Sequence, residues 1–177
     1  DPTAALKVLK KTLPFPRIIG RVCDQPCRVE CNRKEVGESI NIAALERACA
    51  DLGTDARIAT LPSRGKRVAI VGGGLCGVTA AFDLAKKGWS VTVFEASDRL
   101  GGRLWAFPQA VLPPDVIRAD LSVVEALGVR VRHRTAVGAD LPLEQLRAEF
   151  DAVYVAVGAT AEEGLGLPLD EAGRIEV

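Results

Sequence analysis

The chain has 177 residues, 48% of them apolar, with 23 basic and 23 acidic side chains and a formal net charge of zero. That is enough apolar material for one sizeable core, or a core with a small satellite. No apolar run approaches the roughly 18 residues of a membrane span, so a soluble, cytoplasmic globular protein is expected. Residues 1–65 carry 11 basic and 8 acidic side chains and the remainder 12 and 15, an imbalance far too small for nucleic-acid binding but consistent with a boundary near residue 65. There is no methionine and the chain opens on Asp1-Pro2 in mid-pattern, as a piece of a longer polypeptide would; no signal peptide is visible.

Thr3 to Thr12 reads as a short amphipathic helix stopped by Pro14 and Pro16. Cys23, Cys27 and Cys31 then recur as C-x3-C-x3-C. Three clustered thiols without an export signal fit an iron–sulfur cluster, for which thiolates are the soft ligands, better than a disulfide framework. Zinc and inert cysteines are the alternatives, and three ligands are one short of a set. Ser39 to Leu52 is a helix with Ile42, Leu45 and Cys49 at helical spacing, Cys49 being most simply a small buried apolar residue and Glu46 a solvated one. Gly53 to Gly65, with Pro62, Ser63 and Gly65, reads as a linker.

Arg67 to Val71 is a short, β-branched-rich run bounded by charges and glycines, as a strand covered on both faces should be. Gly72, Gly74 and Gly77 follow as G-x-G-x-x-G. The first glycine permits the tight turn, the second lets backbone approach a pyrophosphate, and the third lets helix pack on strand. The next helix aims free N–H groups and its positive dipole end at phosphate. Ser90 to Phe94 is a second strand ending in Glu95, where a ribose hydroxyl needs an acceptor. Such a turn can also serve packing alone. Strand, turn, helix, strand and acid nevertheless arrive in the order that dinucleotide binding requires.

Pro114 to Leu127 is a helix with Val116, Ile117, Val123, Val124 and Leu127 as its apolar face, stopped at Gly128. Val129 to Arg134 alternates like an edge strand with a solvated basic face, and His133, the lone histidine, is read as structural. Leu141 to Phe150 is a further helix and Ala152 to Gly158 a buried strand.

Two blocks, Leu13 to Cys23 with Ile40 to Arg47, and Gly65 to Glu95 with Leu100-Gly101-Gly102, resemble the glutamate synthase small (β) subunit family, which includes the N-terminal region of dihydropyrimidine dehydrogenase. The resemblance covers nearly the whole chain. It implies a helical domain holding two [4Fe–4S] clusters followed by an FAD domain, with electrons passing from NADPH through FAD and the clusters to a larger partner subunit. By position, Cys23 and Cys27 resemble ligands of one cluster, Cys31 a ligand of the other, and Glu46 an unusual fourth ligand. Glu95 resembles the ribose-binding acid. Asp98 to Leu104 resembles the second glycine pair near the FAD diphosphate, where Gly102, Arg103 and Leu104 would bind and the Arg103 fork suits phosphate oxygens. Leu75 and Cys76 in the first helical turn, Ala96 beside Glu95, Val137 at the adenine and Gly158 complete the implied cofactor-binding set.

The chain also departs from the family. The upstream cysteine block lies before Asp1, so two intact clusters are not expected from these residues alone. The arginine of related flavoproteins stands here as Val111. Leu165 to Val177 looks like the stretch that follows the family's inserted NADPH domain, and a second glycine-rich βαβ motif is missing. The expected architecture is α+β: a small all-α iron–sulfur domain (1–52), a linker (53–65) and an incomplete α/β Rossmann-like FAD domain (66–177). Catalysis by side chains is not indicated. The alternatives are a non-catalytic FAD-bearing docking scaffold and an NAD site at the glycine turn; Gly101-Gly102 favours FAD.

Overall fold

The computed structural model describes residues 1–54 and 58–158, so the Leu165 to Val177 stretch lies outside the described residues. The chain forms two compact units. The first joins residues 1–60 to residues 103–127, and the second joins 61–102 to the chain from 128 onward.

The first unit is helical. Helix α1 (Pro2–Leu9) starts where Asp1 Oδ1 accepts the N–H groups of Thr3 and Ala4 at 3.0 and 3.2 Å, with proline in the first turn. Pro16 opens α2 (Pro16–Val22) and Asn41 caps α3 (Ile42–Leu52) through the N–H of Ala44. At Gly20 of α2 an added Cβ would lie 3.0–3.1 Å from Arg47 N and Ala43 O, so the two helices approach backbone to backbone. Only small residues fit such an approach, and α3 therefore buries Ala43 and Ala50. Ile42 and Leu45, which the spacing assigns to the buried face, are exposed, and Cys49 is half-buried.

Helix α5 (Pro114–Ala126) also departs from its expected stripe: it buries Ile117, Leu121 and Val124 together with Asp120, while Val116, Val123 and Leu127 are half-buried. Asp120 turns inward because it has work there. Its Oδ2 accepts the Ile18 N–H at 2.9 Å and its Oδ1 takes Arg17 Nη1 at 3.3 Å. Burial pushes its carboxyl above the ordinary range against the opposing pull of both partners.

The second unit is a parallel sheet in the order β3-β2-β1-β4, built from β1 (Arg67–Val71), β2 (Ser90–Phe94), β3 (Arg130–Arg132) and β4 (Ala152–Val155). Helix α4 (Leu75–Lys86) connects β1 to β2, and α6 (Leu143–Glu149) precedes β4. β1 and β2 are central and buried beyond their first residues. β4 is an edge strand among the described residues, which leaves Tyr154 42% exposed in a strand whose composition reads as buried throughout. Ala69, Val71 and Phe94 on one sheet face pack with Leu141, Leu143 and Leu146. The end of the expected linker is tied to this unit: Leu61 and Arg64 donate their N–H groups to the carbonyls of Lys86 and Gly88 at 2.8 and 2.9 Å. Because all four strands run the same way, their carboxyl ends lie along one edge, where ligands of open α/β sheets bind.

Candidate functional site

The site at that edge is made mostly of backbone. Gly72 has φ +100°, where a side chain would be strained, and an added Cβ would sit 2.4 Å from Ala156 O. Gly77, in the first turn of α4, lies so close beneath the turn that a Cβ would come within 1.9 Å of Gly72 O. Gly74, which begins the helix, is different. A Cβ there would meet nothing within 4 Å, and no side chain caps the helix end. Among the described residues no side chain caps the first-turn N–H groups of Leu75, Cys76 and Gly77, as suits an anion at a helix start.

Gly101 and Gly102 are laid directly on this turn. Gly101 donates its N–H to Gly73 O at 2.8 Å and pairs with Gly74 as an isolated bridge, and a Cβ on Gly102 would stand 3.0 Å from Gly74 Cα. Glu95, 9% exposed, accepts the Gly73 N–H at 2.7 Å on Oε2 and the Ser97 N–H at 2.8 Å on Oε1. Each carboxylate oxygen keeps a lone pair for a hydroxyl donor. Beside it is a cavity of about 150 Å³ whose walls include Gly72, Glu95, Ala96, Thr135 and Val137.

The structure thus brings together Gly72, Gly74, Leu75, Cys76, Gly77, Glu95, Ala96, Gly102 and Val137. Gly158 has φ +87°, and an added Cβ would meet nothing within 4 Å among the described residues. Arg103 (exposed) and Leu104 (buried) belong to the first unit, in a 3-10 turn spanning Gly102–Ala106. Three residues escape the sequence reading. Gly73 is as constrained as its neighbours, since a Cβ would lie 2.5 Å from Leu100 Cδ2 and 2.9 Å from Glu95 Oε2; the run of three glycines was its signal. Thr135 lines the cavity. Tyr154 places its hydroxyl 3.2 Å from Cys76 Sγ, and the sulfur's proximity pushes the phenol above its ordinary range. No local pattern marks either of these two.

The cysteine loop is built otherwise. Cys23, exposed, caps the end of α2; Cys27, exposed, lies on a 3-10 turn at Pro26–Arg28; and Cys31, half-buried, lies between it and a second turn at Asn32–Glu35. Gln25 is left-handed at φ 55°, its Oε1 is buried without a hydrogen-bond partner among the described residues, and its N–H points at Cys23 Sγ at 3.4 Å. The N–H groups of Ile40 and Arg33 push the Cys31 thiol below its ordinary range. Amide groups aimed at sulfur are the environment that favours thiolate ligands. Among the described residues, however, no three Cys, His, Asp or Glu side chains converge as a metal set, and Glu46 stays half-buried on α3. The loop offers suitable donors for a cluster without closing a cage around one.

Comparison with known proteins places both halves. Residues 41–177 match the pyridine nucleotide-disulphide oxidoreductase family, and residues 1–58 match the 4Fe-4S cluster domain II of dihydropyrimidine dehydrogenase. The chain belongs to the pyridine nucleotide-disulphide oxidoreductase family. It is 33% identical over 96% of its length to the NADPH-Fe(3+) oxidoreductase β subunit of Geobacter sulfurreducens. It is 34% identical over 91% to the glutamate synthase [NADPH] small chain of Bacillus subtilis, and 33% over 98% to the NAD-dependent dihydropyrimidine dehydrogenase subunit PreT of Escherichia coli. It spans only 26%, 34% and 43% of those relatives. FAD and a [4Fe–4S] cluster are the cofactors of these two families, and the uncapped, Cβ-free turn fits a dinucleotide. No helix among the described residues is long and apolar enough to cross a membrane.

Proposed function

We propose that the chain is the flavin- and cluster-binding part of a cytoplasmic oxidoreductase subunit. It would pass electrons between NAD(P)H-derived FAD and [4Fe–4S] clusters to a larger catalytic or electron-accepting partner subunit. The observation that supports this most strongly is the double glycine cradle at the carboxyl end of β1, with a buried acid 2.7 Å from Gly73 N, in a chain that also carries the free cysteines Cys23, Cys27 and Cys31 in one segment. The relatives' names supply the nicotinamide donor, which we assign to a domain other than the two units here.

In this reading residues 66 onward bind FAD and residues 1–52 carry cluster ligands. The N–H groups of Leu75, Cys76 and Gly77 hold the diphosphate, and the bare backbone of Gly72, Gly74 and Gly102 lets it approach. Arg103 and Leu104 serve the same cofactor, Arg103 through its guanidinium fork. Glu95 accepts a ribose hydroxyl, while Ala96 and Val137 wall the adenine end and Gly158 borders the cofactor from β4. Cys23, Cys27 and Glu46 serve one cluster and Cys31 another. The bound flavin supplies the chemistry of taking an electron pair from a nicotinamide and releasing it singly to iron; the protein positions the groups and excludes water.

Anaerobically purified full-length protein should carry FAD, iron and acid-labile sulfide. Flavin without iron or sulfide would overturn the relay and leave an FAD-bearing docking scaffold. Gly74→Val should abolish flavin retention with an unchanged circular dichroism spectrum, and undiminished flavin content would remove the turn from the site.

A further inference from the structure

The sequence reading leaves the basic face of β3 to solvent, but the sheet register gives it neighbours. Arg67 pairs with Ser90, Thr92 with Arg130, and Phe94 with Arg132. Alternate residues of a strand share a face, so three arginines from β1 and β3 stand on the side of the sheet that carries Thr92 and Phe94. All three line a cavity of about 260 Å³ on that face, which runs from the first residues of the strands, Arg67, Ser90 and Arg130, to Phe94 and Arg132 at the ends of β2 and β3.

The rings of Phe94 and Phe150 form its wall, edge to face at 5.9 Å. The Arg132 guanidinium lies 5.4 Å from the Phe94 centroid and that of Arg67 5.8 Å from Phe150. A guanidinium held over a ring by its positive charge still has N–H groups that can donate to a ligand. Among the described residues none of the three guanidinium groups has an ion pair. The nearby Asp151 carboxylate is held by Lys66 at 2.8 Å and by the Arg67 backbone N–H at 2.7 Å. Glu149 also lines the cavity, where its Oε1 accepts a hydrogen bond from Gln145 Nε2 at 2.7 Å, and three arginines against this one carboxylate leave a surplus of positive charge. Thr92 is only 8% exposed, lines the cavity, and its hydroxyl has no partner among the described residues.

We propose that this cavity is an anion site for a small phosphate-bearing molecule, separate from the flavin turn. Three guanidinium groups and a hydroxyl offer more donors, from more directions, than a planar carboxylate can accept. Tetrahedral phosphate oxygens match them. The site is not isolated from the cofactor: Phe94 lines both this cavity and the one beside Glu95.

The test is calorimetric titration of the FAD-loaded protein with inorganic pyrophosphate at constant ionic strength, with the flavin occupying the glycine turn. One saturable site is expected. Arg67→Gln and Arg132→Gln should each weaken it about tenfold or more, and Thr92→Val severalfold. The arginines are exposed, so folding should survive; an unchanged circular dichroism spectrum and flavin content verify this. No saturable binding up to about 10 mM, or binding indifferent to both arginine variants, would overturn the site. Citrate binding as tightly as pyrophosphate would overturn its phosphate preference.

Discussion

The glycine turn and the cysteine loop are two ways of preparing a cofactor site. At the turn the ligand-facing surface is main chain, and its shape is set by atoms that cannot move apart without breaking the fold: Gly72 O beneath Gly77, Gly73 O bonded to Gly101 N, Glu95 locked to Gly73 and Ser97. On the loop the groups suited to a cofactor are side chains, Cys23 and Cys27 exposed, and no converged set forms among the described residues. A nucleotide therefore meets a finished surface, whereas a cluster must complete the geometry of its own ligands.

The sharpest break in that comparison is expected at Gly77. Gly77→Ala forces a Cβ to within 1.9 Å of Gly72 O and should lower stability by about 4 kcal/mol or more, whereas Gly74→Ala, at φ −67° with open space around it, should leave stability within about 1 kcal/mol and still reduce flavin content. Urea denaturation alongside flavin absorbance separates the two, and equal destabilisation would refute the distinction.

Next in size, Asp120→Ala strands the Ile18 N–H and Arg17 and should cost about 3 kcal/mol, read as a shift in the urea midpoint. Glu95→Gln should weaken the turn by about 1.5 kcal/mol and FAD affinity about tenfold; unchanged values in both titrations would deprive the acid of its dual role. Serine at Cys23, Cys27 or Cys31 should alter stability of cluster-free protein by no more than about 0.5 kcal/mol while lowering iron content, and a large loss of stability would make the loop structural after all.

The smallest effect is a slope. Asp120 is held above its usual titration range in the folded chain, so folding favours its protonated form. That contribution is present below about pH 4 and is lost as pH rises through the folded value. The stability advantage of wild type over Asp120→Asn should be greatest in acid and narrow on raising the pH; a constant gap from about pH 3.5 to 7 would show that burial does not dominate this carboxyl.

Much of the second unit was legible because its signals are local. β1, the three glycines, α4, β2 and Glu95 are consecutive, and each residue type answers to its immediate neighbours. What stayed hidden depends on distant chain. Ile42 and Leu45 fall outside the core because Gly20, on another helix, admits only the small face of α3. Asp120 is buried for the sake of Ile18 N–H, 102 residues away. The arginines of β3 acquire meaning only through their register with β2. Of the candidate site, the glycine and acid positions were readable and their convergence is visible; Tyr154 beside Cys76 was not, since the two are 78 residues apart.

The two hydrogen bonds on Glu95 have one more consequence. A flexible glutamate gives up rotamer freedom when it engages a ligand, at a cost of about 1 kcal/mol. Here the carboxylate is already fixed at both oxygens by backbone amides, so that entropy is lost once, during folding. In the proposed role a ribose hydroxyl would find its acceptor already immobilised, and the same bonds hold Gly73 and Ser97 in place around it.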